Sequence, residues 1–263
     1  MERRNKAIVS AVVLVITLVI NYMGAMGMIN NLSQKEISDM FPTLITPGPV
    51  TFSIWGLIYI LLLASVIVMI VKSNESYYSN AIDEISSLFW LSSLLNIGWI
   101  IAFSYLQIGL STLLIFGFVI LLVMINQKLR SIQSGAQWLL PLAFGLYGGW
   151  LFIATVVNTA AWLVQVEWSR WGIGDSTWGV AILLVALALT FGVLRQHRNA
   201  IYPLPIAWAY LGIYQALAST ESAAGQPGFM PIIALIGMAV LAGMVIVQFV
   251  QNGRTLCPGS FYR

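Results

Sequence analysis

The segment LYGGWLFIATVVNTAAWL, residues 146–163, is an apolar run that carries Asn158 near its middle and a tryptophan towards each end. The whole chain shares this character, since 59% of its 263 residues are hydrophobic, 8% are charged, and the mean hydropathy is +0.89. Soluble domains contain about 25% charged residues. The sequence therefore predicts an integral membrane protein, in which Asn158 lies where water is not available as a hydrogen-bond partner.

The charge-free stretches predict eight membrane-spanning helices. A bilayer core about 30 Å thick needs roughly 20 helical residues. The stretch 85–127 is uncharged and too long for one span, so it is expected to fold back at residues 107–109. The other spans are residues 7–29, 50–71, 137–164, 177–194, 199–220 and 230–251. The predicted fold class is all-α, a polytopic integral membrane protein.

The distribution of basic residues predicts the orientation of these spans. If the N-terminus is cytoplasmic, only Lys35 and Arg170 of the 12 lysines and arginines lie in outer segments. Basic residues collect on the cytoplasmic side of membrane proteins, so both termini are predicted to be cytoplasmic, in a membrane of the bacterial cytoplasmic type. The basic start also fits a signal peptide, with Gly24, Ala25 and Gly27 near a cleavage point. Both interpretations of the first span stay open.

Helical spacing groups the polar and aromatic residues of three spans on single faces, because residues three, four and seven apart share a face. These faces consist of Phe52, Trp55 and Tyr59; of Asn96, Trp99 and Phe103; and of Trp150, Ala154, Asn158 and Trp162. Counted from the outer ends, Trp55, Trp99 and Asn158 lie at a similar depth. A layer of ring faces with a few amides suits a large, flat, mostly apolar ligand such as a porphyrin or a sterol.

A structural interpretation accounts for some of the same residues. Asparagine inside a membrane often holds helices together, and small residues such as Gly145 and Gly149 let backbones approach closely. For Asn96 and Asn158, packing and ligand contact are both open. Tryptophans at membrane interfaces commonly form an aromatic belt, and four tryptophans fall at predicted interfaces: Trp138, Trp168, Trp171 and Trp178. Belt anchoring does not explain the tryptophans inside the spans.

Three segments resemble the signatures of the translocator protein family, also called tryptophan-rich sensory or peripheral benzodiazepine receptor-like proteins (TspO/MBR). They are FPTLITPGPVTFSIWGLIY (41–59), LLNIGWIIAF (94–103) and YGGWLFIATVVNTAAW (147–162). The resemblance implies a five-helix transmembrane bundle over residues 1–165. Residues 166–263 would form a C-terminal three-helix transmembrane extension with a short tail.

The resemblance also implies a function and a set of site residues. Members of the family bind protoporphyrin and other tetrapyrroles, and some bind sterols, beneath the loop that joins their first two helices. This chain would accordingly bind a large hydrophobic ligand as a sensor, scavenger or carrier; a secondary transporter of a lipophilic metabolite and a porphyrin-degrading enzyme are the alternatives. The implied ligand-binding residues are Trp55, Tyr59, Asn96, Trp99, Phe103, Tyr147, Trp150, Ala154, Asn158 and Trp162, and the implied lid loop contains Pro42, Pro47, Gly48 and Pro49.

Other classes of function lack their residues. A net charge of +3 is too small for a nucleic-acid surface, and no nucleic-acid partner is predicted. The only histidine, His197, lies in the sequence RQHR and is expected in a solvated cytoplasmic loop, so neither a metal site nor a catalytic set is predicted. The expected partners are a hydrophobic small molecule and membrane lipid; no cofactor is assigned, and a porphyrin or heme-type tetrapyrrole is the candidate ligand. A homodimer is left open.

Overall fold

The computed structural model describes residues 2–132, 137–224 and 228–258, and these residues form a helical bundle. The last residues of the predicted C-terminal unit, 259–263, lie outside the described residues. The helices are α1 (Arg3–Ala25), α2 (Gln34–Met40), α3 (Ile54–Val71), α4 (Ser76–Ser104), α5 (Ile108–Ile132), α6 (Leu139–Gln165), α7 (Asp175–His197), α8 (Pro203–Ala224) and α9 (Met230–Gln251). The predicted all-α membrane fold is confirmed, including the break near residue 107.

Within the described part of the chain, seven helical segments are long and apolar enough to cross a membrane. Helix α8 is not among them, although its 22 residues give it the length. Helices α7 and α9 end side by side, and a hydrogen bond from Nδ2 of Asn252 to the carbonyl oxygen of Arg198, at 2.8 Å, joins the two ends. Helix α8 starts at that end and packs along α9 and α6. This packing shields much of α8 from lipid, so a less apolar composition suffices.

Helix α6 is the centre of the bundle. In the most apolar 18-residue stretch of α6, 72% of the residues are buried, whereas the share is 28% to 50% in the other helices that could span a membrane. Its glycine face receives the turn between α7 and α8: a β-carbon on Gly149 would lie 2.0 Å from the carbonyl oxygen of Tyr202. Gly149 therefore lets the backbone of α6 approach the turn that leads into α8, as expected for a small residue in a membrane helix. The division of the chain at residue 165 stays a prediction.

Helix α4 begins at Ser76, well before residue 85, where the charge-free stretch starts. Its first turns carry Asp83, which pairs with Arg3 and Lys6 at 2.7 Å in each case. Glu84 pairs in the same way with Lys128 at 2.7 Å. Counting uncharged residues therefore placed the start of this helix too late, because paired carboxylates are accommodated in its first turns, before the apolar stretch begins.

The same contacts gather the basic residues at one end of the molecule. The ion pairs join the starts of α1 and α4 to the end of α5. Arg130, near the end of α5, donates to the carbonyl oxygen of Gln196, near the end of α7. We call this the basic end. The opposite end carries α2 and the turn Arg170–Gly172, and we call it the lid end.

Candidate ligand-binding layer

Trp55, at the start of α3, is the centre of a cluster of aromatic rings. Its ring centroid lies 5.2 Å from that of Tyr59, 6.4 Å from Trp99, 6.3 Å from Tyr147 and 6.1 Å from Trp150. Trp55 is half-buried, whereas Trp150 is only 2% exposed. We call these five residues the aromatic layer. The structure brings together five of the residues that sequence motifs assigned to the site.

A chain of hydrogen bonds underlies one side of the layer and joins four helices. The hydroxyl of Tyr59 donates to Oδ1 of Asn21 at 2.9 Å, and Nδ2 of Asn21 donates to Oδ1 of Asn96 at 3.0 Å. Nδ2 of Asn96 then donates to the hydroxyl of Tyr147 at 3.0 Å. Asn21 was missed from the sequence, since it belongs to no signature segment. The sequence feature that could have identified it is a single amide side chain within the otherwise apolar span 7–29.

Asn158 forms hydrogen bonds to side chains on two other helices. Its Oδ1 accepts a hydrogen bond from Nε1 of Trp99 at 3.0 Å. Its Nδ2 donates to the hydroxyls of Ser111 at 3.0 Å and Thr112 at 2.8 Å. These bonds tie α6 to α4 and α5, which favours the packing interpretation of Asn158. The two hydroxyls on α5 were not expected, because Ser and Thr commonly bond their own helix.

Trp150 contributes an unsatisfied donor to the layer. Its Nε1 is buried and has no hydrogen-bond partner among the described residues. The ring of Phe52 lies nearly perpendicular to that of Trp150, with ring centroids 5.9 Å apart. Buried indole N–H groups usually find a partner. The layer thus combines ring faces with one free hydrogen-bond donor.

The remaining predicted contacts lie at the border of the layer or outside it. Phe103 continues it beyond Trp99, with ring centroids 6.4 Å apart, and Ala154 is half-buried. Trp162 is 37% exposed and covers the start of α5, where a β-carbon on Gly109 would lie 2.8 Å from its Nε1. Twelve residues along a helix turn the side chain by about 120° relative to Trp150, so Trp162 does not join the rings.

The lid loop begins with α2, which caps the lid end of the bundle. The backbone N–H of Ser33 donates to Oε2 of Glu36 at 2.7 Å, and the N–H of Glu36 donates to Oγ of Ser33 at 3.2 Å. The backbone N–H of Ser33 and its hydroxyl both donate to the Glu36 carboxylate, and these two hydrogen bonds lower the pKa of this exposed carboxyl. Ile37 is fully buried and belongs to an apolar cluster with Phe103, Ile108 and Ala161. The lid helix therefore covers the ends of α4, α5 and α6.

The second half of the lid loop is docked on α8. Pro47, Gly48 and Pro49 lead into the 3₁₀ turn Pro49–Ser53, and the N–H of Gly48 donates to the carbonyl oxygen of Gly212 at 3.2 Å. Nε1 of Trp208 donates to the carbonyl oxygen of Thr51 at 2.9 Å. The C-terminal helices thus hold the base of the lid, a contact that the sequence did not predict. Pro42 lies earlier in the loop, just after α2, and lines a groove together with residues of α6 and α7.

The expectation that His197 lies in a solvated loop is wrong. The residue is 0% exposed, its Nδ1 accepts the N–H of Asn199 at 3.1 Å, and its ring lies 4.6 Å from that of Tyr202. The turn after α7 packs Asn199 and Tyr202 onto the glycine face of α6, and His197 is buried against this turn, whereas Arg195 is exposed. Among the described residues, no group of three His, Cys, Asp or Glu side chains is placed to hold a metal ion.

The fold and the layer define a polytopic helical membrane protein with an aromatic, amide-bearing layer beneath a loop. A sequence model of the TSPO-like protein family matches residues 7–247, and the chain belongs to this family. The match extends through α7 and α8 into α9, beyond the three signature segments. The comparison with curated proteins gave no match, and neither did the comparison with solved structures.

Proposed function

We propose that this TSPO-like membrane protein binds a large, flat, mostly apolar ligand of the tetrapyrrole class in the aromatic layer, as a sensor, scavenger or carrier. The observation that carries the proposal is the contact of half-buried Trp55 with four other rings, beside the unpartnered Nε1 of Trp150. Ring faces stack on a flat apolar molecule, and an isolated donor fixes its orientation.

Ligand entry requires Trp55 to move. A flat ring held between two others needs roughly 7 to 8 Å between the flanking planes, twice the contact distance of carbon atoms. The rings around Trp55 have centroids 5.2 to 6.4 Å from its own, so a ligand must replace some of these contacts. Trp55 is the member that can shift, since it is half-buried at the start of α3, and its ring would then stack on the bound ligand. Asn96 and Asn158 then act as the frame that keeps the surrounding helices in place.

The orientation of the protein is part of the proposal. The basic end gathers the starts of α1 and α4 with the ends of α5 and α7, and basic segments stay on the cytoplasmic side. Both chain ends would then be cytoplasmic. The lid end would face the outside of the cell membrane.

A binding titration tests the proposal. Purified protein is titrated with protoporphyrin IX, other tetrapyrroles and cholesterol while tryptophan fluorescence is followed. We expect saturable quenching, with a tetrapyrrole binding more tightly than the sterol. Trp150→Phe removes the free donor and should weaken tetrapyrrole binding by about 0.5 to 1.5 kcal/mol, or about 2- to 13-fold. Trp138→Phe, at the basic end, is the control. Absence of saturable tetrapyrrole binding would overturn the proposal.

A further inference from the structure

A separate groove lies at the lid end, between the lid loop, the end of α6 and the start of α7. Its volume is about 560 Å³, and its apolar walls include Pro42, Leu44, Leu163, Trp168, Trp178 and Ile182. Small-molecule sites usually measure about 300 to 1,000 Å³. None of the five rings of the aromatic layer is among the residues that line this groove. The groove is therefore separate from the aromatic layer, and α7 forms one of its walls.

Three tryptophans form an ordered corner at the mouth of the groove. The ring centroids of Trp168 and Trp178 are 4.9 Å apart, and Trp171 lies 5.3 Å and 5.7 Å from them. The three ring planes are inclined to one another by 55° to 79°. Nε1 of Trp178 donates to the carbonyl oxygen of Arg170 at 2.8 Å, which fixes the ring. Mutually inclined indole faces can contact one ligand from several directions.

The backbone of this corner adopts conformations that residues with side chains rarely take. Arg170 and Trp171 have φ values of 55° and 51°, whereas the φ of 50° at Glu167 is a common helix ending, in which the N–H of Trp168 donates to the carbonyl oxygen of Leu163. Non-glycine residues in the left-handed region are uncommon, and they cluster at functional sites where the surrounding structure enforces them. Anchoring in the membrane interface requires only that indole rings reach the headgroups. The ordered corner exceeds what an aromatic belt needs.

The charges at the groove favour a cation. Three charged side chains line it, those of Glu167, Arg170 and Asp175. Arg170 is neutralised by Asp175, with Nη1 2.6 Å from Oδ1. Glu167 makes no ion pair or side-chain hydrogen bond within the described part of the chain, so its carboxylate remains available. Indole faces attract cations through the negative face of the ring, and the free carboxylate adds to this attraction.

We propose that the groove at the lid end binds a lipophilic cation, with its apolar body against Leu163 and Ile182 and its charge between the indole faces and Glu167. The proposal does not depend on tetrapyrrole binding, because it concerns other residues and another cavity. The same charge chemistry occurs in a free lipophilic cation and in a choline headgroup, and the proposed occupant is the free molecule.

A pair of probes with the same shape and opposite charge tests the proposal. Tetraphenylphosphonium and tetraphenylborate are titrated by calorimetry against the full-length protein in an uncharged maltoside detergent. We expect the phosphonium to bind at least 10-fold more tightly than the borate. Equal affinity for the two ions would overturn the proposal, and this comparison needs no variant. Phosphonium binding that is lost in phosphatidylcholine nanodiscs would also overturn it, since the lipid headgroup would then be the occupant.

Matched variants locate the cation. Glu167→Gln keeps the shape of the side chain and should weaken phosphonium binding at least 5-fold, with little effect on borate. Asp39→Asn removes a carboxylate at the same end of the molecule but outside the groove, where it pairs with Lys35, and should change the affinity less than 2-fold. Thermal unfolding confirms that each variant is folded. Equal effects of the two substitutions would show that only overall charge matters and would contradict the proposal.

Discussion

The indole Nε1 of Trp99 lies 3.0 Å from Oδ1 of Asn158, and this bond joins α4 to α6 beside the aromatic layer. The amide also donates to two hydroxyls on α5, so its hydrogen-bonding capacity is largely used within the protein. An interhelical amide of this kind stabilises the bundle and leaves little to offer a ligand.

Asn158→Leu should therefore lower the free energy of unfolding by about 0.6 to 2 kcal/mol, because Nε1 of Trp99 loses its acceptor inside the membrane. Unfolding of wild type and variant is measured in one detergent, with and without protoporphyrin IX. Thr159→Val is the control, since its hydroxyl bonds only the carbonyl oxygen of Thr155 on the same helix. A variant of normal stability with a reduced ligand-induced shift would identify Asn158 as a ligand contact instead.

Gly149→Ala should destabilise the contact between the first five spans and the C-terminal helices. The added β-carbon would meet the carbonyl oxygen of Tyr202 at 2.0 Å, so the backbones must separate at a cost of about 1 to 3 kcal/mol. Denaturant unfolding measures the loss. In Gly192→Ala, on α7, the new carbon has nothing within 4 Å, and stability should stay level or rise. Similar losses in the two variants would contradict the observed packing.

Cys257 should be inert in the folded protein. The thiol is 1% exposed, and burial raises its pKa to about 12, so at pH 8 very little of the reactive thiolate is present. A membrane-permeant maleimide should label it slowly in the native state and rapidly after denaturation. Asn252→Ala removes bonds to the carbonyl oxygens of Arg198 and Leu256 and should accelerate labelling. Asn30→Ala, at the lid end, should not. Rapid labelling of the native wild type would refute the buried position.

Reporter fusions test the orientation. A reporter fused after Asn252 should be active in the cytoplasm, and one inserted within residues 166–176 should be active outside, because the basic end is expected to stay inside. These two positions lie at opposite ends of the bundle, so each is the control for the other. A cytoplasmic signal from residues 166–176 would reverse the topology and place the lid in the cytoplasm.

Much of the fold and the centre of the site could be predicted from local patterns. The length of apolar stretches identified the helices, and helical spacing placed Trp55, Trp99 and Asn158 on facing surfaces. Helical spacing does not predict shared faces over several turns. Trp162 lies twelve residues after Trp150 and therefore points in a different direction from the helix axis. Helix α8 is less apolar than a typical span because its neighbours cover much of it.

Contacts between distant parts of the chain were not predictable. Asn21 lies in a span without a signature motif, yet it completes the hydrogen-bond chain to Asn96. The sequence around His197 is charged like a solvated loop, yet His197 is buried against Tyr202, in a turn that packs on the glycines of α6. The docking of Gly48 on Gly212 likewise depends on tertiary packing, which no local pattern reports.

The most direct test of the aromatic layer compares two tryptophans in one titration with protoporphyrin IX. Trp55→Ala removes the ring that contacts four others and should weaken binding by about 1 to 3 kcal/mol, roughly 5- to 150-fold in dissociation constant. Trp138→Ala removes an indole that is 59% exposed at the basic end and should leave the dissociation constant nearly unchanged. Equal losses of affinity in the two variants would contradict a localised ligand site in the aromatic layer.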